Sequence, residues 1–218
     1  MPRTTGYALI CIAGVLLAAA ASPAFAADED TQLWTTVTAM HTLAQGLEGS
    51  FELSPRLRSD EAGGEQLLTT ALLDYRIAPS VTLGGGVAYL ENSGGDELRT
   101  LQQFSVSAGR LSFRTRLEER FVEGAERMEM RLRQRVQITF PLDEDTALTA
   151  AGEVFGTVRP RSPDGEARVE QWRASLLLRR GLAPGLAGGL GYLLVVAPRK
   201  GAPDRLSHVP QVTLAWRI

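Results

Sequence analysis

Apolar and polar residues alternate through most of the chain beyond residue 33, with the period of two that a pleated strand imposes on its side chains. From Leu47 to Leu57 one face reads Leu47, Gly49, Phe51, Leu53, Pro55 and Leu57, and the other Glu48, Ser50, Glu52, Ser54 and Arg56. Leu67, Thr69, Ala71, Leu73, Tyr75 and Ile77 share a face that Asp74 and Arg76 avoid. Val81, Leu83, Val87 and Tyr89 oppose Thr82, Gly84, Gly86 and Ala88. The middle of the chain is sharper. Leu111, Phe113, Leu117 and Phe121 oppose Ser112, Arg114, Arg116, Glu118 and Arg120. Met128, Met130, Leu132, Val136, Ile138 and Phe140 alternate with Arg127, Glu129, Arg131, Arg133, Arg135 and Gln137. Leu148, Ala150, Val154 and Val158 oppose Thr149, Glu153 and Thr157. Trp172, Ala174, Leu176 and Leu178 oppose Gln171, Arg173, Ser175 and Arg179. Leu186, Leu190, Tyr192, Leu194 and Val196 oppose Ala187, Gly189 and Gly191, and the chain ends with Val212, Leu214, Trp216 and Ile218 against Gln211, Thr213 and Arg217.

A helix is the rival only around Leu117, Phe121, Met128, Leu132 and Val136, whose spacings of three, four and seven also fit that period. On a helix Met130, Ile138 and Phe140 would scatter onto the charged side, so the strand template explains more positions.

The connections come in two sizes. Short Pro/Gly turns lie at Ala78 to Ser80, Gly109-Arg110, Pro141 to Asp145 and Gly181 to Pro184. Polar, mostly longer ones lie at Ser59 to Gly64, Asn92 to Glu97, Glu123 to Glu126, Arg159 to Glu166 and Pro198 to Asp204. Their alternation is that of a membrane barrel with short periplasmic turns and longer outside loops. Most of the runs reach the roughly 9–11 residues that a tilted spanning strand needs. The predicted fold is all-β, an antiparallel up-and-down transmembrane β-barrel of about 10–12 strands. Leu47 to Ile218 supplies ten strands with both ends periplasmic; Leu33 to His41 looks like an eleventh, in conflict with the even number expected of single-chain bacterial barrels.

Which face is inside follows from where the charge sits. A soluble sandwich or lipocalin-like barrel would turn its apolar face inward. Here Arg114, Arg116, Glu118 and Arg120, and Arg131, Arg133 and Arg135, lie mid-strand, while Tyr75, Tyr89, Trp172, Tyr192 and Trp216 lie on the apolar faces, several near strand ends. That arrangement predicts an apolar face in lipid, Met130, Leu132, Val136 and Ile138 included, aromatics at the interfaces and charge in the lumen.

The N-terminus adds a compartment. Arg3, the apolar run Ala8 to Ala21 and the small-x-small Ala24-Phe25-Ala26 read as a secretory signal over residues 1–26, cleaved to leave a barrel of residues 27–218 in a Gram-negative outer membrane. Cys11, the sole cysteine, lies inside that signal, so the remainder has no disulfide, thiol nucleophile or Cys metal ligand. Of 23 basic and 25 acidic residues, loss of Arg3 leaves 22 against 25, without the basic excess of a nucleic-acid binder. Outer-membrane lipid is the expected surroundings, and the barrel-assembly machinery the expected partner of the last strand during biogenesis.

Residues 32–218 resemble an uncharacterised bacterial barrel family, the domain of unknown function 2490. Gln32-Leu33-Trp34, the strand with Arg114, Arg116, Glu118 and Arg120, the strand with Glu153 and Phe155, the Arg173 strand and His208 carry the likeness. The resemblance implies an outer-membrane barrel and no particular activity, catalytic residue or cofactor.

Catalytic chemistry finds little purchase. His41 and His208 are the only histidines, and Ser207 beside His208 points the other way on a strand. No catalytic, cofactor-binding or metal residues are expected, and no cofactor. Gly84 to Gly86 and Gly188 to Gly191 precede no helix start, so they read as strand curvature or as room for bulky arginines opposite. The candidate site is a lumen charge cluster of Glu52, Arg114, Arg116, Glu118, Arg120, Glu129, Arg131, Arg133, Arg135, Glu153 and Arg173. Glu52 and Glu153 are the expected extra partners for arginines that Glu118 and Glu129 cannot neutralise. The expected role is a narrow anion-preferring channel or a structural barrel. An outer-membrane lipid-modifying enzyme and a soluble periplasmic ligand-binding barrel are the alternatives.

Overall fold

The computed structural model describes residues 27–218; the signal expected over residues 1–26 lies outside the described residues. Twelve strands follow in order: β1 Asp28–Thr31, β2 Leu33–Ala44, β3 Leu47–Leu57, β4 Gln66–Ala78, β5 Val81–Asn92, β6 Glu97–Ala108, β7 Leu111–Val122, β8 Glu129–Pro141, β9 Thr146–Arg159, β10 Arg168–Ala183, β11 Leu186–Ala197 and β12 Arg205–Arg217. From β2 to β12 each strand pairs antiparallel with the next, and β12 returns to pair with β2, which closes a barrel. A 3-10 turn, Asp60–Ala62, caps the β3–β4 loop, with the Ser59 hydroxyl accepting from the Ala62 amide.

The barrel wall has eleven strands, and Leu33–Ala44 is one of them at full length. The expectation of an even count is thereby corrected. In an odd run of alternating directions the first and last strands point the same way, so the closing pair must be parallel. β2 and β12 do pair in parallel, Trp34 to Met40 against Gln211 to Arg217. β1 extends that seam, pairing parallel with Arg205 to His208. The first strand therefore begins at the long-loop end, where the Asp28 amide donates to the Asp204 carbonyl (3.0 Å), whereas Ile218 lies at the short-turn end beside Met40.

Inside and outside follow the alternation. Leu73, Leu83, Trp172, Leu190 and Leu214 are outward and exposed, Leu190 at 67%. Tyr75 and Trp216 stand at the turn end of this belt, Tyr89 and Phe121 toward the loop end. Leu132 and Val136 face outward and are exposed; Met130 is half-buried on that face, and Ile138 is buried there between Leu111 and Ala150 of the neighbouring strands. Inside, one sector is apolar: Trp34, Leu193, Val195 and Val209 form a buried cluster at β2, β11 and β12.

Gly84 and Gly86 of β5 and Gly189 and Gly191 of β11 face their space inward, though arginines do not fill it. A side chain at Gly84 would collide with Asp74 and Gln103, and one at Gly189 would meet Thr213 Oγ1 at 2.6 Å and Leu177 at 3.1 Å. The room admits Gln103, Asp74 and Leu177 instead.

Candidate functional site

The interior charge is built by register. β7 and β8 are paired so that Arg114 faces Arg135, Arg116 faces Arg133, Glu118 faces Arg131 and Arg120 faces Glu129. Two of these four pairs set like charges side by side, which is unfavourable unless carboxylates reach across from elsewhere. They do. Glu118 is 1% exposed and accepts from Arg131 Nε (2.9 Å) and from Arg133 Nη1 (2.7 Å). Glu153 on β9 accepts from Arg114 Nη2 and Arg133 Nη2, both at 2.9 Å. Arg120 is held by Glu97 through Nη2 (2.8 Å) and by Glu129, and Glu97 also takes Arg99 (Nε, 2.6 Å). Glu170 receives Arg131 (3.2 Å) and lies 3.7 Å from Arg120. Five arginines and five glutamates thus answer one another on β6 to β10. Burial makes such groups depend on their partners, because an unpaired charge in a poorly solvated site is costly.

Further arginines line that interior with no carboxylate within ion-pair distance among the described residues: Arg58 and Arg205 bond the loop carbonyls of Ala62 and Glu61, and Arg179 is exposed at the turn end, which leaves Arg56, Arg116, Arg135 and Arg173. Arg116 donates to the Gln103 amide oxygen (Nη2, 2.6 Å), which in turn donates to Asp74 (2.6 Å). Arg135 donates to Gln137 (3.1 Å). Arg173 donates weakly to Gln171 (3.3 Å), and the buried Nε of Arg56 has no partner at all. The last two rest on aromatic faces instead. Arg56 lies 4.1 Å and Arg173 5.1 Å from the Trp34 ring centre, and Arg173 and Arg133 lie 4.2 and 4.3 Å from that of Phe155. The result is a stack Arg56–Trp34–Arg173–Phe155–Arg133 running from β3 and β2 across the lumen to β10, β9 and β8. A ring face attracts a guanidinium by roughly 0.5–2 kcal/mol. It does not neutralise it. Trp34 is oriented by its Nε1 donating to Gln32 Oε1 (2.9 Å).

A cavity of about 820 Å³ lies inside the barrel, and all four of these arginines line it. Of the eleven residues expected in the lumen cluster, eight are joined to one another by ion pairs or by the aromatic stack, and Arg116 and Arg135 are held by hydrogen bonds to the side-chain amides of Gln103 and Gln137. Glu52 is the exception. It lines the cavity but makes no ion pair, because β3 is paired with β2 and β4, where Glu52 faces Thr38 and Thr70 rather than an arginine. Two residues that do partner arginines, Glu97 and Glu170, are hidden in the sequence. Glu97 reads as the end of a turn, though Arg99 two positions on shares its face. Glu170 sits where the β9–β10 register slips between Val169 and Gln171, and the bulge turns inward a side chain that strict alternation sends outward.

The histidines take no part. His208 faces outward against Tyr192, while Ser207 faces inward toward Asp30 and Gln32. His41 lies at the short-turn end, its Nδ1 3.0 Å from the Ile218 carbonyl. Among the described residues no three His, Cys, Asp or Glu are grouped to hold a metal.

Comparison with known proteins places this barrel among uncharacterised relatives. The family DUF2490, protein of unknown function, matches residues 31–206. An uncharacterized protein of Methylorubrum extorquens is 23% identical over 223 residues, with 96% of each chain covered. A structure of the NanC porin in a rhombohedral crystal form superposes with a TM-score of 0.56 at 10% identity, covering 83% of this chain and 91% of that one.

Proposed function

The chain belongs to the DUF2490 family of proteins of unknown function, and from that premise we propose an integral barrel of the Gram-negative outer membrane whose lumen takes small anions. The membrane reading rests on inverted polarity: a belt of exposed Leu, Val, Phe, Tyr and Trp around a lumen of Arg, Glu, Gln and Thr. The likeness to a porin fold is consistent with it. Lipid then covers the belt, and β12, with Val212, Leu214, Trp216 and Ile218 outward, offers the strand that assembly machinery would engage.

The anion reading is carried by one observation: seven arginines line the cavity with no carboxylate partner among the described residues, Arg56, Arg116, Arg135 and Arg173 among them, beside five that are paired. Fixed cationic donors without counter-charge favour anions in a confined, poorly solvated space. A structural barrel with no solute path is the second reading, favoured by the aromatic–arginine stack that crosses the lumen. Membrane fractionation with a heat-modifiability gel shift tests the first part. Planar-bilayer recording of the purified barrel tests the second. Conductance with chloride favoured over potassium supports the anion path, and a barrel that never conducts supports the structural reading.

A further inference from the structure

Polar side chains stand in the middle of the outer belt at one place. On β6 to β8 the outward positions include Gln102, Thr115 and Gln134, each near mid-strand, and Gln102 and Gln134 are exposed. The other strands carry apolar residues, threonine, glycine or proline at the corresponding outward positions, such as Phe51, Leu73, Val87, Leu176 and Val212. The three polar groups form one patch. Thr115 is paired with Gln134 and its Oγ1 donates to the Gln134 Oε1 (3.0 Å), which leaves the Gln134 amide nitrogen free. Gln102 lies across Leu117 from Leu132, one step toward the loop end, and among the described residues its side chain makes no hydrogen bond. Hydrocarbon supplies neither donors nor acceptors, so primary amides at that depth call for a polar partner within the membrane.

We propose that this face of β6 to β8 is the docking surface for a second copy of this chain, with Gln102, Thr115 and Gln134 at its centre. The proposal rests on the outer-membrane reading above. A second copy inserted in the same sense carries the same three groups at the same depth. A two-fold axis along the membrane normal lays the patch on itself, and a primary amide, being donor and acceptor at once, is complementary to its own copy. The neighbouring surface allows the approach. On β9 the outward positions opposite Val136 and Leu132 are Gly152 and Gly156, and a side chain added at Gly152 would meet nothing within 4 Å. On the other side of the patch the surface is bulkier, with Phe104 paired to Thr115 and Leu83 of β5 paired to Phe104, so the approach is open from the β9 side.

Single cysteines answer the question, since the described residues contain none. Gln102→Cys, Thr115→Cys and Gln134→Cys are oxidised separately in native membranes, with the parent chain as blank and Leu73→Cys on β4 as the control for random collision. At least one of the three should give a disulfide-linked dimer, and Leu73→Cys none. The double variant Gln102→Leu, Gln134→Leu keeps the belt apolar and should keep the heat-modifiable shift. In mild detergent it should move from dimer to monomer on native electrophoresis. A parent chain that is monomeric in mild detergent, with no cross-linked dimer from any of the three cysteine variants, overturns the proposal. So does a leucine double variant that stays dimeric, or a cross-link to another protein. Failure to fractionate with the outer membrane would instead overturn the membrane reading beneath it.

Discussion

Two groups of arginines share the barrel interior, and they differ in what answers their charge. Arg99, Arg114, Arg120, Arg131 and Arg133 are each bonded to a glutamate; Arg131 and Arg133 each reach two, and Arg120 reaches three. Arg56, Arg116, Arg135 and Arg173 meet amide oxygens or ring faces instead. The first group ties β6 to β10 together, so its members are partners in folding. The second satisfies some of its hydrogen-bonding capacity, and no carboxylate answers its charge. Position in a strand does not separate the groups, since Arg133 and Arg135 are two residues apart on one face. What separates them is the reach of Glu118 and Glu153.

Removing a shared carboxylate should do the most damage. Glu118→Gln leaves Arg131 and Arg133 without their common partner, and a broken buried pair costs about 3–5 kcal/mol. Urea unfolding of the lipid-embedded barrel should show that loss. A Glu118→Gln barrel as stable as the parent would dissolve the distinction between the groups. Next comes an arginine placed where no partner exists. Leu132→Arg, on the outer face of β8, should cost roughly 2–4 kcal/mol near the midplane. Unchanged stability there would show that this face does not meet lipid.

A smaller effect is expected from the stack. Phe155→Leu keeps an apolar side chain against β8 and β10 but removes the ring that meets Arg133 and Arg173, each contact worth roughly 0.5–2 kcal/mol. Stability should fall by an amount well below that of Glu118→Gln. A larger fall would mean that the stack, rather than the glutamates, holds this part of the lumen. Smallest of all is the effect of Arg135→Gln, which should move stability by less than about 1 kcal/mol because no carboxylate is left behind.

Orientation can be read separately. With long loops outside, Asp164→Cys in the β9–β10 loop and Glu29→Cys in β1 should both label in intact cells, and Glu144→Cys in the β8–β9 turn should not. Glu144 suits this better than Asp143, whose carboxylate accepts the Asp145 and Thr146 amides (2.9 and 2.7 Å) and so shapes the turn. Labelling of Glu144→Cys alone would reverse the assignment.

Much of this was legible beforehand because alternation is a strong signal in strands with one apolar face. The strands from Leu47 onward other than β6, which is placed by its flanking turns, and the meeting of Arg114, Arg116, Glu118 and Arg120 with the β8 arginines follow from parity, and the two sizes of connection from the Pro/Gly and polar stretches. Three features do not. The parallel β2–β12 seam depends on how a strand count closes, and no residue of Leu33–Ala44 announces it. Glu170 is turned inward by a bulge, which breaks the parity that locates everything else. Trp34, Arg173 and Phe155 lie on different strands, with β11 and β12 between Arg173 and Trp34 in the wall, so their stack appears only once the barrel is closed.

The central claim is that the unpaired arginines, and not the paired ones, set the charge preference of the lumen. Reversal potentials in a potassium chloride gradient test it most directly, comparing the parent barrel with the double variant Arg116→Gln, Arg135→Gln. The account predicts a chloride-selective parent and a double variant of similar stability whose selectivity falls toward zero or turns cationic. A parent that conducts without anion preference, or a double variant that keeps the parent's reversal potential, would contradict it.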